Sequence, residues 1–531
     1  MRFARHLLAA GAMVAVAAPA AHPQALVPDT VGVPAPDGTV LRTLVFLPAG
    51  SAKSPALLVR TPYDAGAHRW LADGLVPGGY AVVMQDVRGT GGSQGRFVPF
   101  VTEASDGLAT LEWLLAQPWS DGRVALWGIS YHGYTAFQIA HHPAVRAVVA
   151  INTWADLGPF LSPGGAFHLA LHLPWFLVYG LQRDMPPAPA WHGIFRTAPL
   201  SSLFQGADAI QEFGSRRFAY ERVKAPVLYV GGWNDYTNPH VLAAYARLAG
   251  LGATQRLIVG PWAHNGLLSG WTKVGEEEYG PAARMNLDSV MGWTRGWLDA
   301  QLRGVPLDGP SVRLFVMGEN RWRGFDRWPP STARSRHWYL GAGFRLSDAP
   351  GAAAAESFVY DPNDPMPTLG GANSHFFPET AGPRDQRPLD ARSDVLRFVS
   401  EPAPEDLTLA GPLRAVLYVE ANAPSVDVTA KLVAILPDGS ARNVEDGILR
   451  LRQMDGPVEA VIDLAGTAIR LERGTRLRLE VSGGNFPKYD RNPNTGGAPL
   501  DATEFRPVRI TLHQGSDRPS RLEAFVLPPS H

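Results

Sequence analysis

The 531-residue sequence has no cysteine, which excludes disulfides, a cysteine nucleophile and thiolate metal sites. It also lacks a dominant charge, because 48 Lys and Arg stand against 49 Asp and Glu. This balance gives no general field for nucleic acid or anionic lipid, so we predict neither as a partner. No His-Glu-x-x-His spacing is present, and we predict no metal and no cofactor. The sequence indicates no oligomeric state.

Long apolar runs are missing as well. Residues 7–18 form an apolar stretch that is too short to span a membrane, and no later segment approaches the required length. A basic start at residues 1–6 and the small residues Ala18-Pro19-Ala20 flank this stretch. The three-part pattern is typical of a secretory signal peptide, with a disordered apolar tail as the alternative. We therefore expect residues 1–25 to be a signal peptide, cleaved between residues 20 and 25, and the protein to be periplasmic or secreted in a bacterium.

The mature chain is too long for one hydrophobic core, so two or three domains are expected. Apolar strands alternate with helical patterns in residues 26–155 and strands resume in residues 225–310, which predicts a parallel sheet covered on both faces. Between them, in residues 156–224, strand signals fade and a helical cap is expected. Short strands separated by turns dominate residues 311–531, including 312–317, and predict an all-β sandwich or jelly roll. Residues 349–382 read as a loop.

Three strands in the first half each end next to a reactive side chain. Ser130 follows the apolar residues 124–129, Asp235 follows residues 227–232, and His264 follows residues 257–260. The order Ser, Asp, His is the one expected of a serine hydrolase on an α/β-hydrolase sheet. Taken separately, a turn-capping role is the simpler interpretation of Asp235, and a buried histidine bonded to a carbonyl is the simpler one of His264. Together, the three positions predict a catalytic triad.

The surroundings of Ser130 predict how the triad would work. A strand-to-helix elbow exposes the hydroxyl and directs the Tyr131 backbone N–H toward the reacting oxygen. His264 would take the Ser130 proton as general base, and Asp235 would orient the imidazole. A second oxyanion donor is needed, and Tyr63 follows an early strand. From the residues alone, packing is the simpler role for Tyr63.

Several ordered segments of the chain resemble a known family. They are Arg60-Thr61-Pro62-Tyr63-Asp64, Gln85-Asp86-Val87-Arg88-Gly89, Gly128-Ile129-Ser130-Tyr131-His132-Gly133, Gly231-Gly232-Trp233-Asn234-Asp235, Gly260-Pro261-Trp262-Ala263-His264, Thr429-Ala430-Lys431-Leu432 and Asn485-Phe486-Pro487-Lys488-Tyr489-Asp490. The chain is similar to the cocaine-esterase-like, X-prolyl dipeptidyl aminopeptidase-type serine hydrolases, which include α-amino acid ester hydrolases and glutaryl cephalosporin acylases.

The resemblance implies a build of three parts: an α/β-hydrolase core, an inserted helical cap and a C-terminal all-β jelly roll. It implies Ser130 as nucleophile with His264 and Asp235, and Tyr63 with the Tyr131 amide as the oxyanion hole. It also accounts for the spacing around Ser130, where the second glycine is Gly133 and not residue 132.

The substrate is predicted from the lack of acidic residues directly after Asp235. The α-amino ester members carry an acidic pair after the triad aspartate, whereas Tyr236-Thr237-Asn238-Pro239 follow Asp235 here. We therefore expect a neutral ester or bulky acyl amide as substrate, unless Asp184 or Glu212 supplies the acid.

The predicted function is hydrolysis of a small-molecule ester, an amide or a short peptide through a covalent acyl-enzyme. One alternative is an X-prolyl dipeptidyl peptidase. Another is a catalytically inert carbohydrate- or peptide-binding protein, which the complete triad disfavours.

Overall fold

The computed structural model describes residues 26–50, 53–181, 183–203, 217–266, 268–373 and 381–529. The predicted signal peptide and Glu212 lie outside the described residues. Among those that are described, no helix has both the length and the apolar character needed to cross a membrane.

The first half of the chain builds a ten-stranded sheet with the order β1-β2-β4-β3-β5-β6-β7-β8-β11-β12. Strands β3 to β8 and β11 run parallel, and β1, β2 and β12 join the edges in antiparallel pairs. The ten strands are β1 Asp29–Pro34, β2 Val40–Phe46, β3 Ser54–Thr61, β4 Ala81–Asp86, β5 Ser120–Ile129, β6 Val145–Ile151, β7 Val227–Gly232, β8 Gln255–Gly260, β11 Val312–Val316 and β12 Arg321–Phe325. The short β9 Lys273–Val274 and β10 Glu277–Glu278 pair with each other.

Helices cover both faces of this sheet, which is why its central strands are apolar along their whole length. The α-helices of this half of the chain are, in order, α1 Arg69–Leu75, α2 Glu103–Leu115, α3 Tyr131–Ile139, α4 Leu157–Leu161, α5 Leu169–Trp175, α6 Trp191–Phe195, α7 Asn238–Gly250 and α8 Leu287–Arg303, and α1, α2, α3, α7 and α8 contact the sheet. Helices α4 to α6 lie between β6 and β7, inside the segment expected to be the cap. A π-helical turn, Phe176–Gly180, continues α5.

The second half is an all-β domain with an eleven-stranded sheet, and its main path has the order β15-β22-β17-β23-β13-β14-β16-β21-β18-β19, with β20 paired to β17. The strands are β13 Arg334–Gly341, β14 Arg345–Ser347, β15 Ala354–Tyr360, β16 Val395–Ser400, β17 Leu407–Ala421, β18 Ser425–Ile435, β19 Ala441–Arg452, β20 Val458–Leu471, β21 Arg476–Ser482, β22 Val508–Gln514 and β23 Arg521–Val526. The predicted class, an α/β domain followed by an all-β domain, is confirmed.

Two local expectations differ from the structure. Val312–Val316 pairs in parallel with β8 of the first sheet, although its short length and flanking turns group it with the later strands in the sequence. Ala354–Tyr360 is a strand paired with β22, so the prediction of a loop across residues 349–382 is wrong at this point. Its alternating Phe358 and Tyr360 are buried, but the surrounding Ala, Asp and Gly residues obscured the pattern.

Candidate active site

Ser130 lies at a sharp elbow between β5 and α3. Its backbone angles are φ 56° and ψ −126°, in a region that non-glycine residues rarely adopt. Two hydrogen bonds hold Ser130 in this conformation. The Ser130 N–H donates to the Ile151 carbonyl at 3.0 Å, and the Thr153 hydroxyl donates to the Ser130 carbonyl at 2.7 Å. The elbow places the side chain at the carboxyl end of the central parallel strands.

The two glycines beside Ser130 are required by close packing. A methyl group at Gly128 would lie 2.1 Å from the backbone nitrogen of Gly133, because α3 turns back against the end of β5. A methyl group at Gly133 would lie 2.5 Å from side-chain atoms of Thr153. Residue 133 is therefore a glycine because α3 packs there against the loop after β6.

His264 and Asp235 complete a continuous line of hydrogen bonds with Ser130. His264 Nδ1 is 2.8 Å from Asp235 Oδ2, and His264 Nε2 is 3.1 Å from Ser130 Oγ. A carboxylate oxygen only accepts, so Nδ1 carries the proton and Nε2 is left to accept from the hydroxyl. The structure thus brings together the three side chains that the sequence places at three separate strand ends.

Asp235 is fully buried and its carboxylate has four donors. Oδ2 accepts from His264 and from the Asn152 side-chain amide, while Oδ1 accepts from the N–H and the hydroxyl of Thr237, at 2.8 and 2.7 Å. A buried charge needs such partners, since an unsolvated carboxylate is costly. The neighbouring Tyr236 ring stacks on the imidazole, with 4.5 Å between ring centroids.

Tyr63, Ser130 and Tyr131 line the same cavity. The Tyr63 hydroxyl accepts a hydrogen bond from the Trp175 indole at 2.9 Å, and burial raises its pKa above the ordinary value. Tyr131 is the first residue of α3, so its backbone N–H has no partner within the helix. Its own hydroxyl donates to buried Glu103 and accepts from the Phe100 N–H at 3.0 Å.

The cavity at Ser130 has a volume of about 300 Å³ and an aromatic wall. Its aromatic side chains include Phe100, Trp154, Phe160, Trp175, Tyr179 and Tyr236. The described lining contains no Asp, Glu, Lys or Arg. Trp154 and Phe160 stack at a centroid distance of 3.5 Å, which leaves a flat apolar surface.

A single polar side chain from α5 belongs to this wall and is uncharged. Burial lowers the pKa of His172 to about 3, and its Nε2–H donates to the Phe160 carbonyl at 2.9 Å. Asp184, which the sequence offers as a possible acid, is exposed and is not among the lining residues. Within the described part of the chain, the pocket therefore offers shape and apolar surface to a substrate and no charge.

Three residues of the site were not identified in the sequence. Asn152 binds Asp235, Tyr236 stacks on His264, and Trp175 binds Tyr63. Asn152 directly follows β6, so the rule that located the triad at strand ends could have included it. The positions of Trp175 and Tyr236 depend on packing and give no comparable signal in the sequence.

Comparison with known proteins identifies the family. The X-Pro dipeptidyl-peptidase (S15 family) model matches residues 37–266, and the X-Pro dipeptidyl-peptidase C-terminal non-catalytic domain model matches residues 303–523. Cocaine esterase of Rhodococcus sp. (strain MB1 Bresler) is 32% identical over 574 residues, covering 94% of this chain and 98% of that enzyme. The chain belongs to the S15 family. It is a serine hydrolase, as the sequence predicts.

Solved structures of similar proteins agree with the S15 assignment. An α-amino acid ester hydrolase is 25% identical with a TM-score of 0.76, covering 97% of this chain and 98% of that one. An aminopeptidase from the marine sediment archaeon Thaumarchaeota archaeon has a TM-score of 0.78 at 23% identity, covering 96% and 98%. The second likeness shows that the fold is shared. The prediction of an inert binding protein is not supported by this S15 membership.

Proposed function

We propose that this S15-family chain is an exported serine hydrolase that transfers the acyl group of a small ester or amide first to Ser130 and then to water. The observation that carries the proposal is the line of hydrogen bonds from Asp235 through His264 to the Ser130 hydroxyl. Both distances lie within the range for a nucleophile activated by an oriented base.

In the proposed acylation step, Ser130 Oγ attacks the substrate carbonyl carbon while His264 Nε2 accepts its proton. The oxyanion that forms would receive hydrogen bonds from the Tyr63 hydroxyl and the Tyr131 backbone N–H. His264 then gives the proton to the leaving oxygen or nitrogen, and the bond to the leaving group breaks. Water repeats the sequence on the acyl-enzyme and releases the acid.

The proposed role of Asp235 follows from its burial and from the four hydrogen bonds that its carboxylate accepts. It keeps the proton of His264 on Nδ1 and stabilises the imidazolium that exists between the two proton transfers. The bonds from Thr237 and Asn152 fix the direction of the carboxylate, so the imidazole is held by a rigid acceptor.

The acyl group that fits the proposed site is uncharged and flat. The stacked Trp154 and Phe160 and the ring of Phe100 favour an aromatic or other planar apolar group. An α-ammonium group would lose its hydration in a pocket whose described lining has no carboxylate. One relative is named cocaine esterase, and an ester substrate for this chain agrees with that name.

An X-prolyl dipeptidyl peptidase is the second candidate, because the family model that matches residues 37–266 has that description. Such an enzyme must anchor an N-terminal amine. We rank it below the esterase because the charge-free lining supplies no partner for that amine. Comparing kcat/KM for a p-nitrophenyl benzoyl-type ester, its α-amino acyl counterpart and an Xaa-Pro amide separates the two. A preference for either amine-bearing substrate would contradict the neutral-substrate proposal.

Ser130→Ala tests the mechanism directly. We expect the purified variant to lose esterase activity by about 10⁴-fold or more, and to lose stoichiometric labelling by an active-site phosphonate. Ser331→Ala, which removes a hydroxyl from an exposed loop residue, is the matched control and should keep both. Full activity in Ser130→Ala would refute the assignment of the nucleophile.

Export is proposed from the basic start, the apolar residues 7–18 and the Ala-x-Ala site. N-terminal sequencing of protein recovered from the periplasm or medium should begin between residues 21 and 26. Recovery of the intact Met1 form from the cytoplasm alone would contradict it.

A further inference from the structure

Trp175 contacts both residues of the proposed oxyanion hole. It is the last residue of α5 and is buried, with 7% of its surface exposed. Its indole Nε1 is 2.9 Å from the Tyr63 hydroxyl oxygen. Its ring also stacks on that of Tyr131, with centroids 5.4 Å apart and an angle of 15° between the planes.

The chemistry of the two groups sets the direction of this hydrogen bond. An indole N–H can only donate, so the Tyr63 oxygen is the acceptor. The phenol proton then has to point away from the indole, and Tyr63 lines the cavity that contains Ser130 Oγ. A hydroxyl that accepts one hydrogen bond is also a stronger donor in the next one, because the two bonds polarise each other.

The position of Trp175 is fixed from both sides. Phe100 stacks against it, with a centroid distance of 5.8 Å and an angle of 22°. The start of α5 is held by the C-terminal domain, since the Phe167 N–H donates to Asp490 Oδ1 at 2.8 Å and the Ala170 N–H to the Pro487 carbonyl at 3.0 Å. The indole N–H that binds Tyr63 therefore belongs to a helix whose start is fixed by the C-terminal domain and not by the catalytic triad.

We propose that Trp175 is a positioning residue of the oxyanion hole, which orients the Tyr63 hydroxyl toward the substrate carbonyl oxygen and strengthens it as a donor. The inference rests on the proposed function, because it assumes that Tyr63 donates to the oxyanion. It gives Trp175 a role that differs from that of Trp154 and Phe160, which bind the acyl group in the proposed function.

Trp175→Phe removes the N–H and keeps an aromatic ring. With p-nitrophenyl acetate, whose acyl group is too small to depend on the aromatic wall, we expect kcat to fall about 3- to 10-fold, the effect of one neutral hydrogen bond. KM should stay within about twofold, since the hydrogen bond serves the transition state. Replacing Trp175 with benzothienylalanine, in which sulfur replaces the N–H at nearly constant shape, gives the same test if the phenylalanine variant is unstable.

The decisive measurement is a double-mutant cycle with Tyr63→Phe. We expect Tyr63→Phe alone to lower kcat by about 10²-fold or more, and Trp175→Phe to have no further effect in that background. Equal losses from Trp175→Phe in both backgrounds would overturn the positioning role, since they would arise from packing alone. An unchanged kcat in Tyr63→Phe would instead overturn the assignment of Tyr63 in the proposed function, and the inference with it.

Two controls exclude a general effect of losing an indole. Trp191→Phe makes the same change at a buried residue of α6 and should leave kcat for the acetate unchanged. A series of esters with larger acyl groups should show the same relative loss in Trp175→Phe as the acetate. A loss that appears only for the large acyl groups would contradict the proposal and assign Trp175 to the pocket wall.

Discussion

At the scale of single residues, the buried carboxylate of Asp235 determines the electrostatics of the site. Its oxygen Oδ2 accepts hydrogen bonds from both the His264 imidazole and the side-chain amide of Asn152. Asn152 has a φ of 40° and donates its backbone N–H to the Val230 carbonyl at 2.7 Å. The contact therefore depends on the pairing of β6 with β7, which brings the ends of two distant segments together.

Asn152→Asp tests this arrangement by replacing the amide donor with a second carboxyl group of nearly the same size. Two carboxyl groups in contact hold a proton between them, and the additional negative charge that appears when this proton is lost stabilises the imidazolium form, so the acid limb of the kcat/KM profile should move to higher pH. We expect this limb to move to higher pH by about one pH unit, measured with a p-nitrophenyl ester between pH 4 and 9. Asn363→Asp, at an exposed loop position, should leave the profile unchanged. An unshifted acid limb in Asn152→Asp would show that residue 152 is not coupled to the triad.

Ser130, Asp235 and His264 could be predicted because each one lies within four residues of the end of an apolar run that forms a buried strand. The carboxyl ends of parallel strands meet at one edge, so strand order alone brings these residues near each other. Asn152 and Trp175 could not be predicted in this way. Their contacts are set by the exact approach of a loop and of a helix, which no local pattern encodes.

At the scale of elements, α5 carries the buried His172 and α7 carries the half-buried His240 beside the site. Burial lowers the pKa of His172 to about 3 and that of His240 to about 4, although the charge of Asp235 works in the opposite direction on His240. The ring of Phe160 contacts both histidines edge-on, at centroid distances of 4.8 and 5.5 Å. The two helices therefore pack through side chains that must stay unprotonated.

This packing predicts a loss of stability in mild acid. An unfolded histidine takes up a proton below about pH 6.5. Folded His172 and His240 remain neutral down to about pH 3 and 4, so the unfolded state binds more protons in that window. Each histidine then contributes a decrease of up to about 1.4 kcal/mol in unfolding free energy per pH unit as the pH falls below 6.5.

The measurement is the pH dependence of stability in His240→Gln. Denaturant midpoints between pH 7 and 5 should decrease less steeply in the variant than in the wild type, because one titrating group has been removed. His337→Gln, in β13 of the other domain, is the control and should keep the wild-type slope. Parallel slopes for wild type and His240→Gln would contradict the prediction.

Elements of regular pattern were the predictable part of the fold. Helix α8, Leu287–Arg303, has a regular helical spacing of apolar residues, and Gly304 ends it with a φ of 72°. The sheet to which Val312–Val316 belongs was harder to predict, because a strand near the edge of one sheet and a short strand of another have the same local composition. Which sheet it joins is decided by tertiary contacts with β8.

At the scale of the whole molecule, the all-β domain holds the segment of α4 and α5, which lines the active-site cavity. Arg450 of β19 binds Asp427 at 2.7 Å and Asp490 at 2.9 Å, and all three side chains are buried. Asp490 in turn accepts from the Phe167 N–H, just before α5. Gly164 lies so close to this domain that a methyl group there would be 1.8 Å from the Ile448 carbonyl oxygen.

Asp490→Ala removes one partner of a buried ion pair and leaves the Phe167 N–H without its acceptor. We expect a destabilisation of about 3 kcal/mol or more, seen as a lower Tm in calorimetry, together with faster cleavage by trypsin after Arg183 or Arg196. Asp406→Ala breaks a solvent-exposed pair with Arg470 and should cost less than about 1 kcal/mol. Equal Tm values for Asp490→Ala and Asp406→Ala would show that the buried pair does not hold the segment in place.

The location of the segment between β6 and β7 has a consequence for how enzymes of this build diversify. These two strands are neighbours in the sheet, so the chain leaves and re-enters the hydrolase core at adjacent points. The intervening residues contribute Trp154, Phe160, Leu171 and Trp175 to the acyl pocket, while Ser130, Asp235 and His264 lie outside them. One contiguous exchange of sequence after Thr153 could therefore give the enzyme a new substrate and leave the triad intact, provided that the replacement keeps the indole donor of Trp175 to Tyr63 and still docks on residues 487–490 of the second domain.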